Sequence, residues 1–276
     1  MFDLLWYQGG KSYLADFLIE TFPKHKCYVE VFGGGASVLL KKNRSTIEVY
    51  NDLYGDVVVF FRVLRDKPEL LKEYLTKLPY SREEHDLLQK RLLEKEITDD
   101  IERASAFFFI SNSSFSGEIS SSFSTSKIRN HSVRFCEKVD ALKLFSNRLR
   151  GVVIEKLDFR KCIEKYDGTE TLFYLDPPYL GRKNEYYRIN FDYRDHHDLA
   201  KILNEVEGKV VLSHSESEEI RELYKKPKWS ILEKIVPIRT SYVKGLKTKP
   251  TMKELVFINF QKEQKSKRKS LAGAFG

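Results

Sequence analysis

The stretch CYVEVFGGGASVLLKK, residues 27–42, with STIEVYND at 45–52 after it, decides the fold class. A short run of β-branched and aromatic residues enters three consecutive glycines, Gly33–Gly35, and a helix-compatible segment follows. A second β-branched run then begins. Strand, glycine turn, helix and strand in this order open a parallel α/β sheet. The glycines let the backbone approach a ligand closely, and the start of the next helix offers unpaired N–H groups. Asp52 stands 19 residues beyond Gly33 at the end of the second strand, where an acid holds the two ribose hydroxyls of a nucleoside. NAD, FAD and S-adenosylmethionine are served equally by this pattern, and a tight glycine turn without ligand shares it.

Upstream, QGGKS at residues 8–12 ends as a phosphate-binding P-loop ends, but Leu5 occupies the position where that motif needs its first glycine. Ser12 is placed to cap a helix carrying Leu14, Phe17, Leu18 and Phe22, closed by Pro23. Downstream, from Tyr54 to Arg150, the spacing is helical throughout, in VVVFF (57–61, a buried helix broken by Arg62), PELLKEYLTKL, SREEHDLLQKRLLEKE and DDIERASAFFFI. Within this block, Ser111–Ser126 holds nine serines in sixteen residues, which predicts a flexible polar segment. Strand patterns return in GVVIEKLDF, TLFYLDPPY, KVVLSH, WSILEKIVPI and ELVFINF, with helices expected between them. The predicted organisation is an α/β domain of residues 1–53 and 151–260, split by a helical insertion, 54–150. A basic tail, 261–276, is expected to be disordered.

Hydrophobic residues at 41% and charged residues at 32% predict a soluble globular chain, and no apolar run reaches the ~18 residues of a membrane span. The opening MFDLLWYQGG lacks the basic start of a signal peptide. Cys27, Cys136 and Cys162 lie far apart and read as reduced thiols, without a structural zinc site. An intracellular protein is the expectation. The net charge is +8, of which residues 111–150 carry +4 and the tail carries +4. Charge gathered in two places fits a polyanion, and a solvated surface with a disordered tail fits it as well.

LFYLDPPYLG, residues 172–181, discriminates among the ligand readings. An apolar strand delivers Asp176-Pro177-Pro178-Tyr179 to the carboxyl edge of the sheet, where open α/β sheets bind ligands. Methylating an exocyclic amine requires two acceptors on its N–H groups, so that the lone pair leaves the base and points at the methyl donor. The Asp176 carboxylate supplies one acceptor and the Pro177 carbonyl the other, and Tyr179 stacks on a base taken out of the duplex. Such a site works by proximity and electrostatic preorganisation rather than by a strong base.

WYQGGKSYLADFL, YVEVFGGGAS, NDL, LRGVVIEKLDF, DPPY, VVLSHSESEEIRELY and ELVFINF occur in one order, and together they resemble the Dam-type (D12 class) N6-adenine DNA methyltransferases over most of the chain. The resemblance implies a Rossmann-like seven-stranded methyltransferase sheet whose last strand is antiparallel, with the helical insertion recognising the target. It implies S-adenosyl-L-methionine as methyl donor and double-stranded DNA as partner, with no obligate protein partner inferred. By resemblance, Tyr7 and Lys11 line the donor pocket, with Lys11 facing the donor's carboxylate. Phe32 and Gly33 would approach its methionine and ribose side, Asp52 its ribose, and Asp158 and Phe159 its adenine. Asp176 would face donor and substrate alike.

In the insertion, Asn112, Lys127, Arg129 and Arg134 are the residue types that contact phosphates and base edges. After DPPY, Arg182, Lys183, Tyr186, Tyr187 and Arg188 mix cations with aromatics, as a loop closing over DNA does. DHHD at 195–198 reads as helix capping by Asp195 rather than a metal site, because adjacent histidines diverge by about 100° on a helix. Val31 and His214 stand where the resembling family commonly has proline and asparagine. The alternatives to a DNA adenine N6-methyltransferase are a catalytically idle DNA-binding module on the same scaffold and an enzyme for a protein or RNA amine.

Overall fold

A computed structural model describes residues 3–7, 9–180, 191–225, 227–237 and 250–261. Among these, seven strands form one sheet: β1 Cys27–Glu30, β2 Ile47–Asn51, β3 Val153–Glu155, β4 Thr171–Leu175, β5 Lys209–Ser215, β6 Ser230–Pro237 and β7 Thr251–Ile258. Their spatial order is β3-β2-β1-β4-β5-β7-β6. Strands β1 to β5 pair in parallel, and β7 runs antiparallel to both neighbours, β5 and β6. This is the expected Rossmann-like sheet, antiparallel last strand included.

The central strands β1, β2, β4 and β5 are largely buried on both faces, and alternate residues enter different cores. Tyr28, Tyr50, Leu172, Tyr174, Val211 and Val256 face one core, whereas Val29, Val49, Phe173, Leu175, Val210 and Leu212 face the other. Helices α9 Phe159–Tyr166, α10 Tyr193–Leu203 and α11 Glu218–Leu223 cover the second face. Covering the first are α1 Ala15–Thr21, α2 Ser37–Lys41 and six helices between β2 and β3. Those six are α3 Gly55–Asp66, α4 Pro68–Lys77, α5 Arg82–Leu93, α6 Asp100–Ser113, α7 His131–Asp140 and α8 Leu142–Leu149.

The helical block shares its core with the sheet. Tyr50 of β2 meets Phe61 of α3 at 4.7 Å between ring centroids, and Phe60 stacks on Phe108 of α6 at 5.5 Å. At the same junction the buried carboxylate of Glu48 accepts from Lys42 at 2.6 Å and from both terminal nitrogens of Arg148 in α8, at 2.6 and 2.9 Å. Breaking a paired, buried charge of this kind costs several kcal/mol, so the insertion is locked to the sheet rather than tethered to it.

Three local expectations differ from the structure. Ser12 does not cap α1; Leu14 stands at that position without a side-chain cap, because residues 11–14 turn before the helix starts. The serine-rich segment begins inside α6, where Ser111 and Ser113 are buried and donate to the carbonyls of Phe108 and Phe109 at 3.1 and 2.7 Å. Serine tolerates a helix when its hydroxyl bonds the preceding turn in this way. Asp192, not Asp195, caps α10, and Asp195 completes a capping box by accepting from the Asp192 N–H at 3.0 Å.

Strand β1 pairs with β2 on one side and β4 on the other, so the connections leave in opposite directions at the β1/β4 boundary. A crevice at such a switch point is where α/β sheets hold ligands. Both the glycine turn after β1 and Asp176 after β4 lie at it.

Candidate active site

Strand β4 is buried along its whole length, and its register beside β1 carries Asp176 to the crevice. The N-terminal segment crosses the same place. Lys11, only 4% exposed, sets its ammonium 2.8 and 2.9 Å from the two Asp176 oxygens and donates to the Gly9 carbonyl at 3.1 Å. The Ser213 hydroxyl of β5 lies 3.2 Å from Asp176 Oδ1. Burial raises the Asp176 pKa, and Lys11 opposes that shift by charge and hydrogen bond. The carboxylate oxygens keep lone pairs free for a further donor.

Tyr179 is held on several sides. Its hydroxyl donates to Glu254 Oε2 on β7 at 2.9 Å, its ring lies 4.4 Å from the His214 ring, and the Lys11 ammonium sits 4.5 Å from its centroid. His214 Nδ1 donates to the Ser215 carbonyl at 2.7 Å, and Nε2 accepts the Leu180 N–H at 3.3 Å, which fixes one neutral tautomer. The departure at His214 therefore shapes the base of the loop. Pro177 is buried directly after Asp176. His196 is packed edge-on between Phe191 and His214, at 4.7 and 5.5 Å, and burial lowers its pKa.

On the other side of the switch point, Gly33 leaves no room for a side chain, since a Cβ there would stand 2.2 Å from the Tyr50 ring. The Gly34 N–H donates to Asp52 at 2.8 Å, and the Tyr54 N–H donates to the same carboxylate at 2.8 Å. Asp52 thus shapes the glycine turn, with burial raising its pKa against those backbone bonds. Tyr7 packs its ring over Gly34 and Gly35. Beyond the turn, Phe32, Asp158 and Phe159 line one pocket with Val31, Asn51 and Phe191. Phe32, Phe159 and Phe191 meet pairwise at 5.5–5.8 Å, giving aromatic walls suited to a flat heterocycle. Asp158 caps α9 through the Arg160 N–H at 2.9 Å, and it pairs with the Arg160 guanidinium at 3.2 Å.

The expected DNA-contacting residues are placed less uniformly. Asn112 is half-buried at the end of α6, donating to the Phe108 carbonyl at 3.0 Å and accepting from Lys138. Lys127, Arg129 and Arg134 are exposed. Arg182, Lys183, Tyr186, Tyr187, Arg188 and the tail beyond residue 261 lie outside the described residues. The serine-rich segment is anchored rather than loose. Ser114 bonds the buried His85 at 2.9 Å, Gln89 donates to the Ile119 and Ser121 carbonyls at 2.7 Å, and Phe123 packs against Tyr80 and His85. Its tip presents an exposed Phe115, followed by Gly117 at φ +71°, against the Trp6 carbonyl.

Sequence reasoning missed Glu254, Ser213 and Asn51. Asn51 donates to the Val31 and Leu157 carbonyls at 2.9 and 3.1 Å and accepts the Leu157 N–H at 2.8 Å, tying three strand ends together. Glu254, beside Lys253 and Thr251 in TMKELVFI, has no local signal that separates it from a solvated strand end.

The sequence model of the D12 class N6 adenine-specific DNA methyltransferases matches residues 7–241, from Tyr7 through the insertion and DPPY into the later strands. The chain belongs to this family. Among its relatives, a DNA N-6-adenine-methyltransferase of Escherichia phage P1 is 24% identical over 236 residues, which are 79% of this chain and 30% of that protein. The type II methyltransferase M1.LlaDCHI of Lactococcus lactis subsp. cremoris is 25% identical over 239 residues, covering 79% of this chain and 83% of that one. The type II methyltransferase M.CviBI of Paramecium bursaria Chlorella virus NC1A is 22% identical over 231 residues, 81% of this chain and 86% of the relative. For this D12 class chain, no helix among the described residues is long and apolar enough to cross a membrane.

Proposed function

We propose that this D12 class chain transfers a methyl group from S-adenosyl-L-methionine to N6 of an adenine in a short sequence of double-stranded DNA, with the adenine turned out of the helix. The observation that carries the reading is Asp176 at the switch point, held by Lys11 and flanked by Pro177 and Tyr179. The aromatic pocket of Phe32, Phe159 and Phe191, with Asp158 at its edge, fits the adenine of the donor by stacking and by accepting its amine. Tyr7, Gly33 and Asp52 then serve the ribose and methionine side, and bound donor supplies an electrophilic methyl at the Asp176 end.

The chain's own residues account for the rest. Tyr179 stacks on the adenine, while the Asp176 carboxylate and Pro177 carbonyl accept its two amine hydrogens. The nitrogen lone pair, withdrawn from the ring, is directed at the methyl. Donor held there would supply the methyl and leave without it, and the amine nitrogen receiving it would become cationic and its proton acidic. Asp176 is placed to take that proton, and burial makes its carboxylate a better acceptor than an exposed one. Lys11 keeps the carboxylate ionised until then and orients it. Lys127, Arg129 and Arg134 hold phosphates, and Phe115 on the anchored segment meets the duplex. Arg182, Tyr186 and Arg188 close over the extruded base. Action on DNA in a bacterial or phage-infected cytoplasm follows.

The test is incubation with labelled donor and unmodified duplex DNA, followed by nucleoside analysis. Label in N6-methyldeoxyadenosine is expected. Label in deoxycytidine, in added RNA or in protein instead would overturn the proposal.

A further inference from the structure

Glu254 is a carboxylate that opens the buried stretch of β7, 1% exposed and followed by Leu255–Ile258, and no step of the chemistry above uses it. Its two oxygens are divided between two tyrosines. Oε1 accepts from the Tyr13 hydroxyl at 2.7 Å, and Oε2 accepts from Tyr179 at 2.9 Å. Tyr13 follows Lys11 by two residues, and Tyr179 follows Asp176 by three. Segments far apart in the chain, one bringing the ammonium and one the carboxylate, therefore meet on a single side chain of β7. The strand is rigid at this point, because Glu254 pairs with Ser215 of β5 on one side and Lys234 of β6 on the other.

We propose that Glu254 is a positioning residue that clamps the Tyr179 ring and the Lys11 segment in the geometry needed to hold the extruded adenine against Asp176. The inference rests on the adenine-methyltransferase reading of the same site. Burying a carboxylate near Asp176 is costly, and it adds a like charge that pushes the Asp176 pKa upward. A structure needing only to fill the space would use an apolar residue. Two hydroxyls in fixed positions require an acceptor with two oxygens, and glutamate is such an acceptor. Glutamine offers one oxygen and one NH2 group, so one tyrosine hydroxyl must reverse its role and accept, losing a bond to a charged acceptor.

The experiment compares wild type, Glu254→Gln, Tyr179→Phe, the double variant and Tyr13→Phe in single-turnover methylation, on a duplex containing the sequence that wild type methylates. Donor affinity is read by calorimetry, and 2-aminopurine at the target position reports the stacking of the extruded base. Glu254→Gln and Tyr179→Phe are each expected to slow transfer by about 100-fold, the size of a small misplacement at the reacting atoms. The double variant should be no slower than the worse single variant, because both remove one bond. Donor affinity should stay within about two-fold, since the clamp is outside the aromatic pocket, and 2-aminopurine should be brighter in Glu254→Gln as stacking loosens. Tyr13→Phe, which touches no part of the base, should still slow transfer. Wild-type rates in Glu254→Gln, or additive losses in the double variant, would overturn the inference while leaving the methyltransferase reading intact. If Glu254→Gln does not fold, an unchanged rate in Tyr13→Phe overturns it by itself. Absence of transfer by wild type would overturn the reading and the inference together.

Discussion

The Asp176 carboxylate lies 2.8 Å from the Lys11 ammonium; burial raises its pKa, and Lys11 opposes the rise by charge and hydrogen bond. Replacing Lys11 with methionine removes the charge that opposes burial, so the Asp176 pKa rises further. If transfer uses the ionised acid, the acidic limb of the pH–rate profile should move to higher pH, measured with saturating donor. An unmoved limb would mean that Lys11 does not control Asp176. Glu30, at the end of β1, provides a second test. Burial pushes its carboxyl up to about 8, against hydrogen bonds from the Tyr28 hydroxyl at 2.7 Å and the Leu39 N–H at 2.9 Å. The folded state holds this proton more tightly than the unfolded chain, so the contribution is complete below the unfolded value near 4.5 and is lost as pH rises through about 8. Relative to Glu30→Gln, wild type should lose on the order of 1 kcal/mol of stability per pH unit across that window. Urea titrations at several pH values measure it, and parallel curves would contradict the assignment.

Among the elements, the anchored segment 114–126 meets the N-terminal segment of the site where Gly117 lies against Trp6. Gly117 sits at φ +71°, and a Cβ there would fall 1.8 Å from the Trp6 carbonyl oxygen. Gly117→Ala should push the two segments apart and weaken binding of cognate DNA by about ten-fold or more, while leaving donor affinity unchanged. Binding isotherms for each ligand separate the outcomes, and loss of donor affinity would show that the segment supports the wrong half of the site. The strands were legible along the chain because β-branched runs alternate with turns and helical spacing, signals that are local, whereas the sheet topology was implied by the family resemblance alone. DPPY was legible for the same reason, as one short run sets Asp176 and Tyr179 at a strand end. What the sequence concealed depends on contacts between distant segments. The contact of the Lys11 ammonium with Asp176, 165 residues away, had no local signal. Serines 111 and 113 looked like loop residues by composition, although their hydroxyls bond within α6. Glu254 carried no motif at all, since its partners lie 241 and 75 residues distant.

For the whole molecule, one sheet supplies the switch point, one helical block supplies a surface above it, and charge is concentrated in residues 111–150 and the tail. Removing residues 261–276 takes away a net +4 and should weaken DNA binding and flatten its dependence on salt, because fewer counterions are released. The methylated sequence should not change; a changed sequence would mean that the tail reads bases. The proposed activity is methylation of adenine in DNA at the Asp176 site. Its most direct test is methyl transfer from S-adenosyl-L-methionine to unmethylated genomic DNA, with sequencing that reports modified bases, for wild type and Asp176→Ala side by side. N6-methyladenine confined to one short motif with wild type, and none with a folded Asp176→Ala, is the predicted result. Modification that persists in Asp176→Ala, or none with either protein, would contradict the account.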